Sequence, residues 1–234
     1  MTTHIIRIRC DLPAIYRRIV GERREADLDY AMHAHLRGVF GDLAPHPFRI
    51  VETAARDALI LGYADHEAAV LEREALSLGW SELASKPMPR LRAGRTVGFE
   101  LRACPTRRGR HSGPHPKKNP GVREVDAFLA EAWRVGPEKR VDREAVYRGW
   151  LGERLERGGA AELIHADLRR FRRLRTLRRT QGDRRRSTLL ERPDALLSGL
   201  LRVTDPEAFA ERLRRGVGRH RAFGFGMLLL RAAA

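Results

Sequence analysis

The elements readable along the 234 residues run strand, helix, strand, strand, helix in the first half and repeat that plan in the second. This order predicts an α+β protein of two tandem ferredoxin-like domains, each β-α-β-β-α-β. Two further observations support it. A hydrophobic share of 42% is enough to build two cores in a chain of this length. The stretch Ser85–Arg95, with Pro87 and Pro89, reads as a connection, so 1–90 and 91–234 are the expected domains.

Each element has its own reason. Ile5–Cys10 alternates Ile6, Ile8 and Cys10 with Arg7 and Arg9, the period of two of a half-buried strand. A charged stretch follows Pro13. Leu28, Met32, Leu36, Val39 and Phe40 then recur at helical spacing, so Leu28–Phe40 is a helix with one apolar face, stopped before Pro45 and Pro47. Phe48–Glu52 and Leu59–Tyr63 read as strands about a turn, and Glu67–Leu76 as a second amphipathic helix.

The second half opens with a strand over Val97–Ala103. Pro105–Val122, rich in Gly, Pro, Arg, Lys and His, reads as a mobile basic loop. Glu124–Trp133 and Asp142–Leu155 are helical, the latter with Asp142 as N-cap and Gly158-Gly159 as its stop. Leu163–Arg179 and Thr188–Val203 flank Gln181-Gly182-Asp183 as a long hairpin. Asp205-Pro206-Glu207 begins a short helix that ends at Gly216, and Phe223–Leu230 closes the fold as a buried strand.

Charge gives the first functional signal. Lys and Arg number 46 against 30 acids, for a net charge of +16. Between Leu168 and Arg186 stand Arg169, Arg170, Arg172, Arg173, Arg175, Arg178, Arg179, Arg184, Arg185 and Arg186 against a single acid, Asp183. Such a run is usually a solvated face, but like charges at this density repel one another and favour a bound polyanion, with nucleic acid the first candidate. Lys117 and Lys118 of the basic loop, and Arg219 and Arg221 further on, are expected to join this surface.

A glycine-rich loop contains those last two cations. Gly216, Gly218, Gly224 and Gly226 can let backbone amides approach a phosphate. The plain alternative is a helix C-cap at Gly216 followed by a hairpin turn with surface arginines.

Tyr30, His33 and Arg37 lie at i, i+3 and i+7 on one helical face, while His35 points elsewhere. An imidazole titrates near neutrality and can take a proton from an attacking hydroxyl or give one to a leaving oxygen. An arginine can hold charge developing on phosphoryl oxygens. By spacing alone, a Tyr and a His on a helix are more often structural.

Other classes are disfavoured. There is no P-loop, no obvious acidic cluster and no Gly-x-Ser-x-Gly, so metal-dependent nuclease and nucleotide hydrolase chemistry are not expected, nor is a metal or cofactor. Cys10 and Cys104 form neither a disulfide framework nor a zinc motif. The N-terminus lacks a signal-peptide core and no stretch is long enough to span a bilayer, so a cytoplasmic protein is expected.

Three passages together resemble the CRISPR-associated repeat-RNA endoribonucleases, most closely the CasE branch of the type I-E Cascade complex. They are Asp29-Tyr30-Ala31-Met32-His33-Ala34-His35-Leu36 with Phe40, then Leu197-Ser198-Gly199-Leu200-Leu201-Arg202-Val203-Thr204-Asp205-Pro206-Glu207-Ala208-Phe209, and Gly216–Leu229. The resemblance implies RRM-like domains, and catalytic roles for Tyr30 and His33 at a scissile phosphate. It also implies metal-independent cleavage of precursor CRISPR RNA within its repeat stem-loop, by attack of the neighbouring 2′-hydroxyl to leave a cyclic phosphate. DNA lacks that nucleophile. The family's basic hairpin, which grips the RNA stem, is similar to Leu163–Val203. The partners implied are repeat RNA and subunits of a Cascade-type complex. The other reading is a non-catalytic RNA-binding subunit of such a complex. On this comparison the glycine-rich loop is expected to join the last helix to the closing strand rather than to hold the chemistry.

Overall fold

The computed structural model describes residues 2–21, 28–54, 56–77, 79–109, 123–179 and 187–233, without the side chains of 14, 18–21, 30, 123, 175–179 and 187–190. Its first unit runs β1 (His4–Asp11), α1 (Leu12–Gly21), α2 (Leu28–Phe40), a 3-10 turn at Gly41–Leu43, β2 (Phe48–Thr53), β3 (Asp57–Ala64), α3 (Ala68–Arg73) and β4 (Trp80–Pro87). The second runs β5 (Thr96–Ala103), β6 (Thr106–Gly109), β7 (Arg123–Asp126), α4 (Ala127–Val135), α5 (Arg143–Glu156), β8 (Ala161–Arg179), β9 (Ser187–Val203), α6 (Pro206–Arg215), a 3-10 turn at Arg221–Phe223 and β10 (Leu228–Arg231).

Two four-stranded antiparallel sheets result, in the orders β2-β3-β1-β4 and β10-β5-β9-β8. In each sheet, the first of its four strands in chain order lies between the third and the last, which is the ferredoxin-like arrangement. Ile6, Ile8, Met32, Phe48 and Ile60 pack the first core; Phe99, Leu101, Trp150, Leu197 and Phe209 pack the second. The expected alternation in β1 is realised, with Ile6, Ile8 and Cys10 all 0% exposed. None of the helices in the described residues is long and apolar enough to cross a membrane.

Caps behave as the sequence indicates. Asp205 accepts from the Glu207 and Ala208 amides at 2.9 and 3.1 Å, with Pro206 opening α6, and Asp142 accepts from Glu144 at 3.0 Å to start α5. Several boundaries differ from expectation. The charged stretch after Pro13 contains α1, because a proline in the first helical turn has no needed N–H to lose and its fixed φ suits the helix. Part of the supposed connection is strand β4, whose sequence alternates only weakly but which pairs with β1 along its length. The helix expected over Glu67–Leu76 is confined to Ala68–Arg73, and Leu76 beyond it is 73% exposed.

The second unit departs similarly. The loop expected over Pro105–Val122 begins instead with β6, which pairs with β7, so Glu124 is in a strand and α4 starts only after Asp126 caps Phe128 at 2.8 Å. The rest of that loop, with Lys117 and Lys118, lies outside the described residues, as do Gln181-Gly182-Asp183 and Arg184, Arg185 and Arg186. The closing strand is only Leu228–Arg231, since Gly224 and Gly226 take φ of 70° and 88°, which breaks an extended chain.

The β8–β9 hairpin is the longest pairing in the molecule, from Ala161↔Val203 to Arg179↔Ser187. Gly199 allows it. A Cβ at that position would lie 2.0 Å from the carbonyl oxygen of His165 on the facing strand, where β8 bulges.

The two units meet through a face of the first sheet, whose Ile5, Val51, Leu61 and Tyr63 pack against the core of the second. Tyr63 Oη donates to the Leu228 carbonyl at 2.6 Å, and Arg49 pairs with Glu100 at 2.7 Å. The glycine-rich loop also crosses onto the first unit: a Cβ at Gly216 would stand 3.1 Å from Pro47.

Candidate active site

Helix α2 presents the site. Ala31, Met32, Leu36, Val39 and Phe40 bury one face against the first sheet, which leaves His33 half-buried and Arg37 exposed on the other side. His35 points into the protein, where its Nε2 lies 3.0 Å from the Gly79 carbonyl, as the expectation of a separate face requires. The side chain of Tyr30 lies outside the described residues.

His33 rests on Phe48, ring centroids 6.3 Å apart and planes within 9°. A second imidazole stands at its edge. His46 lies 6.5 Å away, centroid to centroid, with an interplanar angle of 73°. The His46 amide donates to the Tyr63 carbonyl at 2.8 Å, which fixes the loop between α2 and β2. Among the described residues neither imidazole has a hydrogen-bonding partner.

Cations set the electrostatics here. Removal from water, then the charge of Arg37, lowers the His33 pKa below its ordinary 6.5. His46 is pushed down to about 4, first by desolvation and then by Arg221, His33 and Arg37. Arg37 itself donates to Asp42 at 2.7 Å, and Arg221 donates to the Arg215 carbonyl. The site therefore sets two imidazoles beside two guanidinium charges, suited to a bound phosphate and to moving protons around it.

In the glycine-rich loop several amides are bonded within the protein. The amides of Gly216, Val217, Gly224 and Gly226 donate to the carbonyls of Arg212, Gly226, Arg221 and Arg102 at 2.9, 2.8, 3.1 and 2.8 Å. A Cβ at Gly218, which takes φ of 83°, would stand 3.0 Å from the Trp150 ring, tighter than ordinary contact. Gly216 at φ 71° ends α6, as the cap of the second reading requires, and the chain then passes through the 3-10 turn at Arg221–Phe223.

The hairpin arginines divide. Arg169, Arg170, Arg172 and Arg173 are exposed on β8. Arg169 and Arg170 have no ionic partner among the described residues, whereas Arg172 binds Asp194 at 2.7 Å and Arg173 lies 4.0 Å from Glu191. The side chains of Arg175, Arg178 and Arg179 lie outside the described residues. Arg219 sits 3.4 Å from Glu124, which also binds His220.

Two features escaped sequence reasoning. His46 was hidden between Pro45 and Pro47, which read only as a helix stop. Arg102 is 6% exposed in β5 and joins Asp29 of α2 to Asp194 of β9; a lone cation inside an apolar strand was its available signal.

The family model described as "CRISPR associated protein" matches residues 3–232. No curated protein matches the sequence. Among solved structures, the endoribonuclease Cse3 bound to a 19-nucleotide RNA is similar at 22% identity over 98% of this chain and 99% of that one, with TM-score 0.66. Thermus thermophilus Cse3, bound to an RNA representing a pre-cleavage complex, is 21% identical over 99% and 100% of the two chains, with TM-score 0.62. Cas6e of Escherichia coli str. K-12 is 16% identical over 99% and 100%, with TM-score 0.53. At these identities the likeness is one of fold.

Proposed function

The chain belongs to the family of CRISPR-associated proteins, and from that premise we propose that it is a metal-independent endoribonuclease. It cuts precursor CRISPR RNA within the repeat stem-loop to give mature crRNA. The observation that carries the reading is His33: half-buried, without a hydrogen-bonding partner among the described residues, and under the positive charge of Arg37.

The chemistry needs no metal in this scheme. The 2′-hydroxyl beside the scissile phosphate attacks phosphorus, the bond to the 5′ oxygen breaks, and the products are a 2′,3′-cyclic phosphate and a 5′-hydroxyl. His33 moves a proton, Tyr30 orients or assists it, and Arg37 steadies charge on the phosphoryl oxygens. The fold likeness to Cse3 chains bound to RNA, and to a chain of a CRISPR RNA-guided surveillance complex at TM-score 0.57, supports an RNA substrate.

Residues 1–90 then form the domain with the catalytic helix, and 91–234 the domain with the basic hairpin and glycine-rich loop. The hairpin arginines, with Lys117, Lys118, Arg219 and Arg221, hold the RNA stem. The protein works in the cytoplasm as a subunit of a Cascade-type complex. Replacing the nucleotide 5′ of the cut by its 2′-deoxy form is expected to abolish cleavage while leaving binding intact; continued cleavage would rule out 2′-hydroxyl attack.

A further inference from the structure

We propose that His46 is a second catalytic residue, the general base of the cleavage, with His33 as the general acid; this rests on the endoribonuclease reading above. Two imidazoles from different elements, one on α2 and one on the loop before β2, meet edge to face at 6.5 Å. Hydrogen bonds from ring nitrogen to oxygen of about 2.8 Å on either side leave room for one phosphoryl group to touch both rings. The loop is pinned at both ends of the histidine: its amide bonds the Tyr63 carbonyl, and Pro47, which follows it, bonds the Tyr63 amide through its own carbonyl at 3.0 Å.

The groups facing His46 come from two elements. Arg37 and His33 belong to α2, and Arg221 belongs to the 3-10 turn of the glycine-rich loop. These charges attract the anionic phosphate while keeping the imidazole unprotonated and able to accept a proton. Of the arginines named, His33 faces Arg37 alone, whereas His46 faces both Arg37 and Arg221, so the proton of the pair is held better on His33. This also gives the glycine-rich loop a reason to cross onto the first unit: it delivers Arg221 to the reacting phosphate.

The step balances without a further reactant. His46 takes the proton of the 2′-hydroxyl as the 2′ oxygen bonds to phosphorus. Protonated His33 gives its proton to the departing 5′ oxygen as that bond to phosphorus breaks. The enzyme is left with the proton on the other histidine, and exchange with water restores the starting state.

The test compares wild type, His33→Ala, His46→Ala and His46→Gln under single-turnover conditions on two repeat RNAs. One is unmodified, and the other carries sulfur in place of the 5′ bridging oxygen. A thiolate departs without a proton, because a thiol is a far stronger acid than an alcohol. All the variants are expected to slow on unmodified RNA by about a hundredfold or more. His33→Ala recovers on the sulfur substrate; both His46 variants do not. The His46 variants are expected still to bind repeat RNA, because the hairpin arginines proposed to hold the stem are unchanged. Recovery of the His46 variants on the sulfur substrate overturns the assignment, as does a His46 variant with the wild-type rate on unmodified RNA. A wild type inert on both RNAs overturns the endoribonuclease reading and this inference with it, whereas an active wild type matched by His46→Gln overturns this inference alone.

Discussion

The guanidinium of Arg102 donates to both oxygens of the Asp29 carboxylate at 2.8 Å, joining the strand that opens the second sheet to the first turn of the helix that carries His33. The same group binds Asp194 at 3.0 and 3.1 Å, and Asp194 also accepts from Arg172 on the basic hairpin. One ionic network therefore runs from the hairpin surface to the residue before Tyr30. Burial opposes charge on Arg102, but its two carboxylates outweigh it and hold the guanidinium protonated.

Removing Arg102 leaves a buried carboxylate at Asp29 without its bidentate partner. Arg102→Ala is expected to lower unfolding free energy by about 3–5 kcal/mol, whereas Arg172→Ala, at a half-exposed site, costs about 1 kcal/mol or less. Denaturant unfolding of both variants checks this. Equal losses would show that the network is not centred on Arg102.

The exposed arginines of β8 are expected to act through counterion release. Arg169→Ala and Arg170→Ala should each reduce the slope of log binding constant against log salt by about one, with repeat affinity falling at all salt concentrations. Titration of binding between low and physiological salt measures it. An unchanged slope would place these side chains away from the phosphates.

Acid sensitivity has a predicted sign. His46 binds its proton near pH 4 when folded and near its ordinary 6.5 when unfolded, so between these values the unfolded chain holds more protons. Stability contributed by neutral His46 is full above 6.5 and is lost as pH falls toward about 4. His46→Ala should flatten that part of the decline. Unfolding midpoints at pH 7 and pH 5 for both proteins provide the measurement.

Much of this was legible in the sequence because periodicity reports burial directly. Ile6, Ile8 and Cys10 marked β1, and Asp205-Pro206 marked the start of α6. What stayed hidden depends on partners distant along the chain. Nothing near Trp80–Pro87 says strand until β1 lies beside it. Arg102 looks misplaced in an apolar strand until Asp29 and Asp194 arrive from 73 and 92 residues away. His46 gains meaning only when the chain folds back to set it at the edge of His33. Helical spacing found His33 and Arg37 because both lie on one element; it had no means to find a ring contributed by a loop.

The central claim is that His33 performs metal-independent RNA cleavage. Its most direct test is single-turnover incubation of labelled repeat RNA with wild type and with His33→Ala in excess EDTA. The wild type is expected to cut once within the repeat and leave a cyclic phosphate, with His33→Ala slower by about a hundredfold or more. Loss of wild-type cleavage in EDTA, or a His33→Ala variant that cuts at the wild-type rate, would contradict it.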